Sequence, residues 1–212
     1  QDGFVDQVKI NYLDQKLLTA INFRRMTLAY TPGWPSIHDI DAVMTVNPHE
    51  ISIESQKAEI IKTSLNTVTA KFPIPFNSDT SAIMINGSTN CSLEAGLGFL
   101  EQTPLKNEIA DKLRDFHPKG DMQLGLNLAI KLKDSHTHVD VHGDLDLKQA
   151  TISMQDPVLD LTDINGLMQF NNDSLTAKDL KIKLFDKIAT AKVSLDNHHK
   201  DAGLKISIVA PV

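Results

Sequence analysis

From Leu124 to Leu147, apolar and polar residues alternate almost without a break. Leu124, Leu126, Leu128, Ile130 and Leu132 are interleaved with Gly125, Asn127, Ala129 and Lys131. After the polar pair Asp134-Ser135, Val139, Val141, Leu145 and Leu147 are interleaved with Asp140, His142, Asp144 and Asp146. A side-chain period of two belongs to extended backbone, where successive residues point to opposite faces. The pattern predicts a long hairpin with one apolar and one charged face. No other feature restricts the fold as much. A ribbon of this length carries an apolar stripe that must be hidden from water, either by a second layer or by an apolar ligand.

The same alternation recurs along most of the chain. Runs at 4–13 and 17–30 precede the turn Thr31-Pro32-Gly33-Trp34-Pro35, whose two prolines exclude a central strand. Trp34 there is either an anchor for the turn or an interfacial contact. Ile40, Ala42, Met44 and Val46 alternate up to an Asn47-Pro48-His49 turn, and Ile51 and Ile53 start the return strand. Further strand-like runs lie at 58–64, 66–73, 81–86, 164–170, 175–184, 188–195 and 204–209, with Ile152 and Met154 between the hairpin and the later runs. The stretch 91–99 contains two glycines and is ambiguous.

One segment has a different period. Thr103-Pro104 has the form of an N-cap followed by proline at the first helical position. Leu105, Ile109, Leu113 and Phe116 then fall three or four residues apart, opposite Glu108, Asp111, Lys112 and Arg114. An amphipathic helix is expected near 104–116, ended by His117-Pro118-Lys119-Gly120. An internal repeat is also visible. Residues 37–54 align with 161–178 at a constant offset of 124, with Asp39/Asp163, Ile40/Ile164, Met44/Met168 and Asn47/Asn171 identical. The unit reads as an alternating strand, an Asn turn and an alternating return, a module of a repeat architecture.

Composition narrows the functional classes. A net charge of −6 with interleaved signs gives no basic face for nucleic acid. The apolar 41% is mostly aliphatic, since aromatics make up only 5%. The single cysteine, Cys91, excludes an intrachain disulfide and reads as a small, part-buried strand residue. No run is long enough to span a bilayer as a helix, and no signal peptide is present. A first residue that is not Met, and an end without helix or charged tail, suggest one segment (1–212) of a longer protein.

Catalytic signatures are sparse. His136, His138, Asp140, His142, Asp144 and Asp146 share one face of a regular strand, and imidazole with carboxylate can ligate a divalent metal. Same-face neighbours are about 7 Å apart in a strand, so only a pair could close on one ion. The alternative is the wet outer face of the hairpin. His49-Glu50 lacks the second histidine of a zincin helix, and Gly96-Leu97-Gly98 lacks the third glycine of a dinucleotide fingerprint. No Gly-x-Ser-x-Gly elbow occurs. No cofactor is expected.

Three features together resemble one family. They are Tyr30-Thr-Pro-Gly-Trp34-Pro35, the Leu100-x-x-Thr-Pro104-Leu105 stretch, and Asp163-Ile-Asn-Gly166-Leu-Met-Gln-Phe170 followed by Leu175-Thr-Ala177. Their order over residues 20–196 is similar to the central region of the YhdP family of AsmA-like, TamB-related envelope proteins of Gram-negative bacteria. The resemblance implies a mainly β fold, an elongated, curved antiparallel sheet of repeated hairpins forming a trough. It implies a non-catalytic role in moving phospholipid between inner and outer membranes, as a periplasmic segment of a protein whose membrane anchor lies outside this chain. The implied groove wall consists of Ala42, Met44, Val46, Ile51 and Ile53, then Leu124, Leu126, Leu128, Ile130, Leu132, Val139, Val141, Leu145 and Leu147. Met168, Phe170, Leu180, Ile182, Leu184, Val193 and Leu195 continue it. The implied partner is phospholipid or another acyl-chain ligand, and unpaired edge strands invite self-association. Two other readings stay open: an envelope scaffold whose apolar face is core, and a metal-dependent hydrolase using the His136–Asp146 strand.

Overall fold

Alternation becomes strand almost everywhere in the computed structural model. It describes residues 3–13, 16–29, 32–77, 81–104, 106–107, 116–133, 136–155, 158–184, 187–196 and 203–210. The strands are β1 (Phe4–Leu13), β2 (Lys16–Leu28), β3 (Ile37–Val46), β4 (Glu50–Ile60), β5 (Thr63–Leu65), β6 (Thr67–Pro73) and β7 (Ile83–Ser92). After helix α1 (Leu93–Leu100) come β8 (His117–Lys133), β9 (His136–Gln155), β10 (Val158–Asn171), β11 (Ser174–Leu184), β12 (Lys187–Asp196) and β13 (Leu204–Val209). They form one sheet in which neighbours in space are neighbours in sequence, with β5 as a short branch on β4. Every pairing of described register is antiparallel. The sheet does not close into a barrel.

The helix lies where the sequence was ambiguous. Leu93–Leu100 is helical, capped by Ser92, whose Oγ accepts from the Ala95 amide at 3.2 Å. The expected helix near 104–116 falls largely outside the described residues, which omit 105 and 108–115. Thr103, read as an N-cap, is buried at the exit of α1, where its amide and hydroxyl both donate to the Leu100 carbonyl. His117-Pro118-Lys119-Gly120, expected to end a helix, opens β8 instead.

The strands are not simple two-fold ribbons. Between β2 and β3 the register slips between Phe23 and Met26 and again before Leu28. Between β9 and β10 it slips either side of Ile164. Such bulges insert one extra residue and shift the alternation by one. Arg25, Asp39, Gln149 and Asp163 sit at these points with φ near +50°, in the left-handed region where aspartate and asparagine are better tolerated than most residues. The apolar face therefore passes from odd to even numbering, as in Leu147 to Ala150, without changing side. Side-chain acceptors hold the bulges. The Arg25 amide donates to Asp41 Oδ1 at 3.0 Å, and the Gln149 amide donates to Asn165 Oδ1 at 2.9 Å.

Pairings in the two places coincide at the offset of 124. Thr19, Phe23, Met26 and Leu28 face Val46, Ala42, Ile40 and Ile37. Gly143, Leu147, Ala150 and Ile152 face Phe170, Gly166, Ile164 and Leu161. The following turns match as well. Asn47 Oδ1 accepts from the amides of His49 and Glu50, and Asn171 Oδ1 from those of Asp173 and Ser174.

The chain divides into two compact units, Gln1–Thr89 with Leu126–Val141, and Asn90–Gly125 with His142–Val212. Within the first, Ile37, Ile40, Ala42, Ala58, Val68, Ala70, Ile85, Leu128, Ile130 and Val141 are buried. The second has a continuous core of Met122, Leu147, Ala150, Leu161, Ile164, Ala177, Leu180, Ile182, Ala189 and Ala191.

A candidate apolar ligand site

In the second unit, α1 and the apolar face of the sheet flank a partly open hollow of about 130 Å³. The helix contributes Leu93, Gly96, Leu97, Phe99 and Leu100. Opposite stand Met122 and Leu124 of β8, Leu145, Leu147 and Ile152 of β9, and Met168 and Phe170 of β10. Leu175, Leu180, Val193, Leu204 and Ile206, with Phe116 and Pro118, complete the lining. Among the described residues every lining side chain is hydrocarbon or thioether, offering neither a hydrogen bond nor a charge. An engineered closed cavity of about 150 Å³ with similar lining binds benzene.

Local chemistry explains the helix on this face. Gly96 is buried, and a Cβ there would run into the Met122 methyl, so the helix backbone lies directly on β8. Gly98 has nothing near the position of a Cβ. Only Glu94 and Ala95 of the helix are exposed. Cys91, just before the cap, packs against the core; burial, then the Asp121 charge, pushes its thiol pKa up, away from reactive thiolate.

Of the residues expected to line a groove, Leu124, Leu145, Leu147, Met168, Phe170, Leu180 and Val193 come together around the cavity. Ile182 and Leu195 are buried outside its lining, and Leu184 packs partly buried against the core. In the first unit Ala42, Leu128, Ile130 and Val141 are buried, while Met44, Val46, Ile51, Ile53, Leu126 and Val139 are half-buried. The Leu132 side chain lies outside the described residues. Sequence reasoning did not single out Met122, Leu175, Leu204, Ile206 or the helix leucines as a site. Alternation marks a face, not where a helix will cross it.

The polar face behaves as solvated surface. His138 Nε2 is 2.8 Å from Asp140 Oδ1, and Lys131 Nζ donates to Asp140 Oδ2 at 2.7 Å. The Lys131 hydrogen bond, then that of His138, holds the Asp140 carboxyl below its usual range. His142 is exposed, and the His136 side chain lies outside the described residues. Among the described residues no three His, Cys, Asp or Glu side chains gather as metal ligands.

The architecture is that of a mainly β protein, an open antiparallel sheet with one helix laid over an apolar hollow. The chain belongs to the YhdP protein family, whose profile matches residues 9–212. No curated protein and no solved structure matches it significantly. Among the described residues no helix is long and apolar enough to cross a membrane.

Proposed function

We propose that this chain is a non-catalytic module of an envelope lipid-transport protein, and that its apolar sheet face carries phospholipid acyl chains between the inner and outer membranes. The observation behind this reading is the hollow, whose described lining consists of aliphatic, aromatic and thioether side chains. Acyl chains are held by the removal of apolar area from water, at about 25 cal/mol per Å². A site without polar groups does not choose between head groups, as a carrier of bulk phospholipid requires. Membership of the YhdP family is consistent with the envelope setting. On this reading the segment is periplasmic and the membrane anchor lies outside it.

A second reading has its own observation. Val141 and Leu195 are fully buried, and Leu128, Ile130 and Ile182 nearly so, as expected of a scaffold whose apolar face is simply core. One experiment separates the two. The 212-residue chain is incubated with phosphatidylcholine vesicles carrying a diazirine at one acyl terminus, then irradiated and mapped by mass spectrometry. Transport predicts adducts on Leu124, Leu145 or Met168, lost in Met168→Trp, which fills the cavity. A chain that stays unlabelled at the cavity supports the scaffold.

A further inference from the structure

We propose that α1 is a displaceable stopper, and that a phospholipid tail enters the second unit by taking the place of Leu93, Leu97 and Leu100 against the sheet. The inference rests on the lipid-carrying reading above and adds how access to the site is controlled. Three observations carry it.

First, the resting cavity is too small for a whole tail. About 130 Å³ suits a guest near the size of benzene, a fraction of a phospholipid acyl chain. The end of a tail fits through the open side of the hollow, but seating more of it against the sheet beneath α1 requires that the helix move. Second, the helix is intrinsically weak. It has eight residues, two of them glycine, and no basic residue in its last turn. Two turns are marginal alone, and glycine is the poorest helix former after proline. The bonds at its two ends, the Ala95 amide to Ser92 Oγ and Gln102 Nε2 to the Gly98 carbonyl at 3.0 Å, close the helix on itself rather than tie it to the sheet. Third, the exchange is like for like. The sheet wall would lose leucine side chains and gain methylenes, so the sheet's apolar area stays covered, and burial of the incoming tail offsets the exposure of the displaced leucines.

The helix offers two positions that alter its stability without touching the lining. Ser92 and Gly98 are not among the cavity residues. Removing the cap in Ser92→Ala destabilises the helix. Filling empty space in Gly98→Ala stabilises it, since the added Cβ meets nothing. If α1 is a stopper, the initial rate of diazirine-phosphatidylcholine labelling at Leu124, Leu145 or Met168 rises about threefold to fivefold in Ser92→Ala. It falls by a similar factor in Gly98→Ala. A fixed wall gives the opposite for Ser92→Ala, which would lower labelling, and no change for Gly98→Ala; either result overturns the stopper. Labelling of the wild type that neither variant alters also overturns it while leaving the lipid-carrying reading intact. No cavity labelling in any of the three proteins would overturn that reading itself. Retention of the wild-type far-ultraviolet spectrum in both variants excludes unfolding as the cause of a change.

Discussion

Asp41 and Asn165 do the same work with different chemistry. Each places a side-chain oxygen on the amide of a left-handed residue across the strand pair, Arg25 in one case and Gln149 in the other. Asp41 also meets Arg24 Nη1 at 3.2 Å. The Arg25 amide, more than the Arg24 guanidinium, holds the Asp41 carboxyl below its usual range. A lowered carboxylate pKa stabilises the fold above the unfolded-state value, and that contribution disappears as pH falls through the folded value. Asp41→Asn should therefore keep the bulge and flatten the acid limb of the thermal-melting profile. Asp41→Ala should lower the melting midpoint at neutral pH. A second single-residue test concerns Gly143, which faces Phe170 across the β9–β10 pair. A Cβ on Gly143 would run into the Phe170 ring. Gly143→Ala should cost about 1–3 kcal/mol in urea unfolding. At this scale the sequence was informative about turns: Asn47 and Asn171 were read as turn formers and accept two amides each. Bulges were not legible. Nothing in the residue type of Arg25 or Gln149 announces positive φ; the acceptor two strand positions beyond the partner bulge decides it.

At the scale of elements, period-two alternation located the strands well because most of them have one buried face. The helix was harder. Leu93-Glu94-Ala95-Gly96-Leu97-Gly98-Phe99-Leu100 is too short and too evenly apolar to show a 3.6 period. The available signals were Ser92 as a cap and Glu94 in the first turn, where an acidic residue suits the helix dipole. The sequence also could not separate core from cavity wall, because both sit on the same face. Substitution does separate them. Ile182, 2% exposed and outside the cavity lining, should lose about 2–5 kcal/mol as Ile182→Ala. The half-buried Leu124 should lose less as Leu124→Ala while enlarging the hollow, which urea melts and acyl-probe labelling will read together. The common register of β2–β4 and β9–β11 is what two copies of one module would have. The Gly143–Phe170 pair stands where the other has Thr19 and Val46, an exchange of bulk across one strand pair.

For the whole chain, the sheet's described path ends on β1 and β13. β1 carries exposed Val5, Val8 and Ile10, the last 66% accessible. An apolar strand with unpaired backbone groups is a template for pairing. The 212-residue chain should therefore associate with rising concentration in sedimentation velocity, and Ile10→Lys should return it towards monomer. A chain monomeric throughout would show that these edges are blunted. The hollow under α1 has a different consequence, one of time. A cavity of about 130 Å³ is worth about 3 kcal/mol when filled, taking roughly 24 cal/mol per Å³. That corresponds to a dissociation constant of roughly 5 mM. A guest held so loosely leaves as readily as it arrives. On the lipid-carrying reading proposed above, the part of a tail seated in the hollow is held in a way suited to hand-over rather than storage, and the direction of flow is set by the supply at the two ends of the route.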